Sequence, residues 1–388
     1  MQAMLRDFDS WIARARLGIL LDADLAALAI TLAASGDRLA DSPDAADLAS
    51  TGGPGSLSTL WSPPSLVAAG FAVPKLGVPG RPAGGVDILG SLGGYRVAFD
   101  RVGASKVLER CRYVHMLAGR DFAPADAAFF SYRQRTGAQA LPALAISSLL
   151  AKKLAMGVRK VGLEVRVAPH GNFGSNFDEA RANAHRFCNV ARLVGIEATC
   201  LLTDGREAQQ PYLGRGEAIL AVSRILDGSA SEWLASHAED CRRWADALGG
   251  TATSFEAVAY AFVANLEAQG GSFDALRSRA AVVAAGHSST VASRHDGYVS
   301  YDLGKLRDAI IDARQPDAGT TFADDAGIVL LVRPGTFVSK GEPLASIRCR
   351  PPARARLCSV VAQAIDLAQN PGVATPHGNT GVSEVVRV

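Results

Sequence analysis

Residues 161–203 constrain the fold more than any other stretch of this chain. Val161–Val167 alternates as a strand does, the loop APHGNFGSN follows, Phe177–Val194 has a long helical pattern, and Ala198–Thr203 repeats the strand pattern. Helix and strand alternating in this way predict a mixed, partly parallel sheet flanked by helices. Helical spacing recurs over Asp7–Ala34, read as two helices with Asp22 and Asp24 at a helix start, and over Ser105–Leu117. It recurs over Ala127–Gly157 (broken at Gly137 and Pro142), Glu217–Leu226, Ser231–Ala247 and Ser254–Gln269. Leu60–Gly70 could be helical past Pro64, and Phe71–Val78 is strand-like. From Arg294 onward the chain turns strand-rich: GYVSYD, a helical Leu303–Ala313, then RPGTFVSKGEPL, read as a hairpin. At 388 residues, two or three domains are expected.

Charge excludes some partners. Lys and Arg number 40 against 38 Asp and Glu, so no strong field draws in nucleic acid or anionic lipid. The basic cluster Arg348–Arg356 is interrupted by Pro351 and Pro352 and reads as a solvated surface or a disordered strap. Cys111, Cys188, Cys200, Cys241, Cys349 and Cys358 form no CxxC pair, which suits free thiols in a reducing compartment. Apolar runs such as Leu25–Ala34 and Leu141–Ala151 are too short for a membrane span, and the first residues lack a signal-peptide core. A cytoplasmic protein is expected. The histidines His115, His185, His237, His287, His295 and His377 show no ligand spacing, so neither a metal nor another cofactor is expected.

Two loops stand out. STGGPGSLST, Ser50–Thr59, packs three glycines, one proline and five hydroxyls into ten residues. Glycines let backbone N–H groups approach an anion closely, and hydroxyls add donors. The segment lacks the lysine that a P-loop requires. Gly77–Gly94 is a second glycine-rich loop; Lys75 precedes it, and the sequence does not say where its side chain points. On the pattern 127–157, Ser148 and Lys152 lie one helical turn apart and so share a face. His170 and Asn172 follow a predicted strand, where α/β folds place ligand contacts, although a surface turn is the commoner fate. Lys340, in SKGEP, is out of place for the modified lysine of a carrier hairpin.

Five segments, in order, resemble the pyrimidine-nucleoside and thymidine phosphorylase family. They are STGGPGS, the VPK…GR…GG…D run from Val73 to Asp87, APAD at Ala123–Asp126, LPALAISSLLAKKLAMG at Leu141–Gly157, and LLTD at Leu201–Asp204. The tail from GYVSYD to GEPLASI is similar to that family's C-terminal subdomain. The resemblance implies an α/β protein made of a small all-helical domain and a larger mixed-sheet α/β domain, with a C-terminal β-rich subdomain and a cleft between domains. Residues 1–39 and 127–155 would form the helical, base-binding and dimerising part. Residues 48–118 and 158–290 would form the phosphate side, and 294–388 the β-rich α+β subdomain. The implied activity is pentosyl transfer: phosphate, or another anionic acceptor, attacks C1′ of a pyrimidine nucleoside. Phosphate is the implied co-substrate, and a homodimer through the helical domain is implied, with the apolar stripe Ala26–Leu32 as its candidate contact.

The resemblance assigns residues as well. Arg133, Ser148 and Lys152 would hold the departing base; counting back from Pro142 puts Tyr132 rather than Arg133 at that position. Fixed cations and a hydroxyl stabilise the pyrimidine anion most as the glycosidic bond breaks. Ser50, Thr51, Gly52, Gly53, Gly55, Ser56, Ser58 and Thr59 would form the anion loop. The chain departs from the family just ahead of that loop, where Leu48 and Ala49 stand for a lysine and a histidine. Ser56 stands for an aspartate, Gly77 for a serine, and Val86 or Gly85 for a threonine. A charged hydrogen bond contributes about 1.5–3 kcal/mol, so losing the lysine and two hydroxyls would weaken phosphate binding about a hundredfold or more. A catalytically silent nucleoside-binding or scaffolding protein is therefore the alternative to an enzyme.

Overall fold

The computed structural model describes residues 2–80, 84–313, 322–370 and 382–387, with side chains from Asp7 onward. Arg81, the arginine of the GR pair, lies outside them. In chain order come helices α1 (Gln2–Arg16) and α2 (Asp22–Ala33), strand β1 (Ala46–Ser50), α3 (Ser58–Ala68), β2 (Val73–Gly77), the short α4 (Gly85–Leu89), α5 (Arg101–Cys111) and β3 (Tyr113–Leu117). Then follow α6 (Pro124–Arg135), α7 (Pro142–Ala155), β4 (Lys160–Val167), α8 (Phe177–Leu193), β5 (Glu197–Asp204) and the two-residue β6 (Tyr212–Leu213). Four helices, α9 (Arg215–Leu226), α10 (Glu232–Asp246), α11 (Phe255–Ala268) and α12 (Phe273–Ala285), precede the strand-rich end. That end holds β7 (His287–Ala292), β8 (Gly297–Tyr301), α13 (Leu303–Ala313), β9 (Ala326–Leu330), β10 (Phe337–Val338), β11 (Pro343–Cys349), α14 (Arg354–Gln363), β12 (Ile365–Ala368) and β13 (Val382–Arg387).

The predicted mixed sheet is present. β1, β4 and β5 run parallel, β13 closes the β5 edge antiparallel, and the parallel pair β2–β3 lies beside β1 through the bridge Ala45↔Ala72. Helices cover both faces: α3, α10 and α11 on one side, α7 and α8 on the other, with α1, α2 and α6 stacked outside α7. β4 and β5 are buried almost throughout, as a sheet covered on both faces requires. One apolar core runs from Phe8 through the helices and this sheet to Val386 of β13, and a second, smaller core holds the β-rich end from Ala208 to Ile365. Side chains cap several helices: Asp100, Asn176, Ser231, Ser254 and Ser272 each accept from a backbone N–H of the first turn. Such caps are each worth about 1 kcal/mol.

Several sequence expectations change. Ser105–Leu117 is two elements: Arg112 adopts a left-handed conformation (φ 60°), which ends α5, and Tyr113 starts a buried strand. Helix α3 does not wait for Pro64 but starts at Ser58 and runs through Pro63 and Pro64. Ser58 and Thr59 therefore sit in its first turn rather than in the loop. The cluster Arg348–Arg356 is ordered and solvated from Arg350 to Pro352 and at Arg356, but its first arginine is not at the surface. Arg348 is buried, donating to both Glu217 carboxylate oxygens at 2.7 and 2.9 Å and to Asp324 Oδ1 at 2.6 Å, and Arg354 opens α14. The segment RPGTFVSKGEPL is split between two sheets, β10 pairing with β8 while β11 pairs with β9 and β7. The β-rich end also draws in β6 and β7, which precede residue 294, and gives β13 back to the main sheet. Finally, the stripe Ala26–Leu32 is largely covered inside the chain: Leu28, Ala29 and Leu32 are buried in α2, which packs on α7 and α8.

Candidate active site

Parallel strands all end on one edge of the sheet, and the loops beyond those ends are where α/β folds collect ligand groups. Here the loop after β1, the second glycine loop after β2 and the His170–Phe173 turn after β4 meet the helix pair α6–α7 around a cleft of about 550 Å³. Ser50, Thr51, Gly52, Gly53, Ser56, Ser58 and Thr59 line one wall; Arg133, Ser148 and Lys152 line the other. Gly55 does not line the cleft: it is packed against Ala208, whose Cα would lie 3.1 Å from an added Cβ.

The glycine loop is built to turn its donors outward. Gly52, Gly53 and Gly55 have φ of 91°, 120° and 82°, values that side-chain-bearing residues rarely adopt. Buried Arg166 donates through Nη1 to the carbonyls of Gly53 (3.1 Å) and Pro54 (2.6 Å), and its backbone N–H donates to Thr51 Oγ1. With those carbonyls tied behind the loop, the N–H groups of Gly53 and Ser56 find no acceptor among the described residues. They lie just ahead of the α3 N-terminus, whose partial positive charge favours an anion. Ser50 Oγ accepts from the Gly52 N–H at 3.1 Å.

Behind the loop is a carboxylate. Glu164, fully buried on β4, accepts from Ser58 Oγ at 2.5 Å and, at longer range, from Ser56 Oγ and Thr203 Oγ1. These two loop hydroxyls are thus turned toward a negative charge. His237 accepts the Leu57 N–H through Nε2 at 2.8 Å; burial, then the nearby Arg166 charge, pushes its pKa down to about 3, so it is neutral.

On the facing wall, Lys152 Nζ donates to Asp126 Oδ2 (2.7 Å), to the Ser148 carbonyl (2.6 Å) and to Ser148 Oγ (3.0 Å). Burial lowers the Lys152 pKa and the Asp126 charge opposes that shift. Arg133 is buried with its guanidinium over the Phe129 and Phe130 rings at 5.1 and 5.9 Å. Tyr132 points away, donating to Asp9. Phe130, Gln134 and Gln139 complete this end with an aromatic ring and two amides.

The cleft also takes His115 and Lys153, to which the sequence gave no role, and Lys75, His170 and Asn172, which it had noted. His115, at the centre of β3, was hidden by the helical pattern of its neighbours; a β-rich YVHML is the signal that would have found it. Lys153 follows Lys152 and, being one residue on, lies about 100° around the helix; it pairs with Asp47. Lys75 is buried, donating to Asp47 Oδ1 at 2.7 Å and to the Leu48 carbonyl at 2.6 Å. His170 and Asn172 line the outer cleft with Arg307 and Asp308 of α13, so that turn is not merely a surface feature. Leu48 lies on the other face of β1, toward Gly162, while Ala49 borders the cleft. Among the described residues no group of three or more His, Cys, Asp or Glu is placed to hold a metal ion. No described helix is long and apolar enough to cross a membrane.

The glycine loop and the side chains of Arg133, Ser148 and Lys152 line one cleft, and known proteins support an enzyme of the pentosyltransferase type. The chain is a divergent relative of the nucleoside phosphorylases. It is 26% identical over 358 residues to a thymidine phosphorylase of Agrobacterium fabrum, covering 84% of this chain and 79% of that one. It is 27% identical over 355 residues to a pyrimidine-nucleoside phosphorylase of Staphylococcus aureus, covering 84% and 80%. An AMP phosphorylase of Thermofilum pendens is 26% identical over 314 residues, covering 78% of this chain and 59% of that one. Among solved structures, anthranilate phosphoribosyltransferase from Thermus thermophilus superposes with a TM-score of 0.48 at 16% identity, over 71% of this chain and 94% of that one. No protein-family model matches.

Proposed function

We propose that this chain cleaves the N-glycosidic bond of a pyrimidine nucleoside by attack of an anionic acceptor, inorganic phosphate first among them, at C1′. An acceptor oxygen forms the new bond to C1′ as the C1′–N bond breaks, and the electron pair leaves with the base. The reading is carried by one observation: the anion loop and the Arg133–Ser148–Lys152 wall line a single cleft. Donors on the base wall act where charge grows as the bond breaks, so they favour the transition state over the bound nucleoside. Assembly as a homodimer belongs to the same reading, through α1 and α2, whose intervening turn exposes Leu17, Ile19 and Leu21.

A second reading, a nucleoside-binding protein without turnover, is favoured by Glu164. Its charge lies behind the loop and takes the Ser58 hydroxyl that an anion would otherwise use. Phosphorolysis of thymidine, uridine and deoxyuridine across a phosphate series, with calorimetric titration of each nucleoside, separates the two. We expect turnover that saturates in phosphate, with the KM for nucleoside raised about tenfold in Ser148→Ala, the worth of one hydrogen bond. Nucleoside binding without turnover would select the second reading, and no pyrimidine binding would defeat both.

A further inference from the structure

We propose that Asp126 is a positioning residue for departure of the base: it holds the Lys152 ammonium against Ser148, and the lysine then acts on the base through the Ser148 hydroxyl. The inference rests on the pentosyl-transfer reading and adds to it a buried residue that does not itself line the cleft.

The lysine has no donor to spare. An ammonium carries three N–H groups. Those of Lys152 go to Asp126 Oδ2 at 2.7 Å, to the Ser148 carbonyl at 2.6 Å and to Ser148 Oγ at 3.0 Å, so none is left for a base. Ser148 Oγ accepts from Nζ and so keeps its own hydrogen to give; no acceptor among the described residues takes it. Ser148 lines the cleft. A hydroxyl whose oxygen receives a charged N–H is a stronger donor than an isolated one, because each bond in such a chain polarises the next. That donation gains most as the departing base becomes an anion.

Asp126 fixes this arrangement. It sits in the first turn of α6, where the helix end favours an acid, and is fully buried. Its Oδ1 has no hydrogen-bond partner among the described residues, so Lys152 is the one group there that the carboxylate holds. A buried carboxylate that merely braced two helices would be outdone by an apolar side chain, whereas one that orients an ammonium has a use. The charges facing Lys152 are Asp126 and Arg133 from α6 and Lys153 on its own helix. On the other elements packed against α7, Arg14 of α1 pairs with Asp24 of α2, Asp22 of α2 with Arg186 of α8, and Lys75 of β2 with Asp47. Burial first, and then the two cations, push Lys152 toward losing its proton, and Asp126 opposes them.

The test is the pH dependence of kcat/KM for phosphorolysis by the full chain, with whichever of thymidine, uridine and deoxyuridine the wild type turns over best. Asp126→Asn, Ser148→Ala and the double variant are compared with the wild type. Asp126→Asn keeps the shape and one acceptor oxygen but removes the charge, so the Lys152 pKa falls and activity that needs the ammonium is lost from a lower pH upward. We expect the alkaline limb of kcat/KM to move down by about one pH unit or more, and kcat/KM at neutral pH to fall about tenfold. Ionisation of the nucleoside and of phosphate is common to all variants and does not move the limb between them. In the Ser148→Ala background the same substitution should change kcat/KM at neutral pH by less than about twofold, because the route to the base is already cut. Thermal unfolding of each variant checks the fold; should Asp126→Asn not fold, Lys152→Met with and without Ser148→Ala makes the same comparison. An unmoved limb, or a loss that multiplies with that of Ser148→Ala, would overturn the inference and leave the pentosyl-transfer reading intact. No turnover of any of the three nucleosides by the wild type would instead defeat that reading, and the inference with it.

Discussion

At the scale of single residues, the site is governed by which charges are kept and which are suppressed. Asp47 stays ionised because two lysines hold it, whereas His237 stays neutral because burial denies it a proton down to about pH 3. A histidine whose folded-state pKa lies below its unfolded value, near 6.5, contributes stability that is complete above that value. The contribution drains away as pH falls toward the folded pKa, because only the unfolded chain gains the proton. From pH 7.5 to pH 5 the loss from such a group is about 2 kcal/mol. His237→Gln, which keeps an acceptor for the Leu57 N–H, should therefore lose less stability than the wild type over this interval. Urea denaturation at the two pH values measures it, and an unchanged difference would show that His237 is protonated in the fold. His115, also pushed to about 3 by burial and by Lys75, adds a parallel loss that the substitution leaves in place.

At the scale of elements, close approach decides what can stand where. The first turn of α4 lies against α3 and β3 so tightly that a Cβ on Gly85 would fall 2.4 Å from Thr59 Oγ1, 2.4 Å from His115 Cε1 and 2.9 Å from the Thr59 carbonyl oxygen. Gly85→Ala should cost about 1–3 kcal/mol by overpacking, and Gly93→Ala, with nothing within 4 Å, should stay within about 0.5 kcal/mol. Thermal unfolding of the two variants tests the contrast, and equal midpoints would refute it. Elements with a strong period were legible in the sequence: α7, α8, β4 and β5 fall within a few residues of their predicted spans. β1 and β3 were not, because each is a five-residue strand, β1 in a polar stretch ahead of a glycine loop and β3 continuing a helical pattern. The cost was functional. Reading Tyr113–Leu117 as a helix removed His115 from view, and no local pattern reports that Lys75 and Lys153 converge on Asp47, since that contact joins strands and a helix far apart in sequence. Ser148, Lys152 and the glycine loop were singled out through the resemblance of their short segments to those of the phosphorylase family.

At the scale of the whole molecule, buried ions tie the β-rich end to the main body. Glu217 of α9 and Asp324 share Arg348, and Arg215 holds Asp87 beside the second glycine loop. Exposed apolar side chains are scattered over the described residues, but three fall together in the turn between α1 and α2: Leu17, Ile19 and Leu21 are 72, 55 and 70% exposed, with Ile30 of α2 at 51%. The homodimer we propose would bury this cluster. Analytical ultracentrifugation should find a dimer of the wild type and a monomer of Ile19→Asp/Leu21→Asp; a monomeric wild type would remove this surface from consideration. One further consequence follows from the last strand. Residues 382–387 lie along β5 and cover the row of backbone groups that an edge strand otherwise shows to water, with the Val386 carbonyl oxygen 3.9 Å from the Cys188 sulfur. Trimming those few residues would turn a sealed flank into sticky template for other chains and unroof a pair of thiols 3.8 Å apart, so solubility and resistance to oxidants are guarded by the same short ribbon.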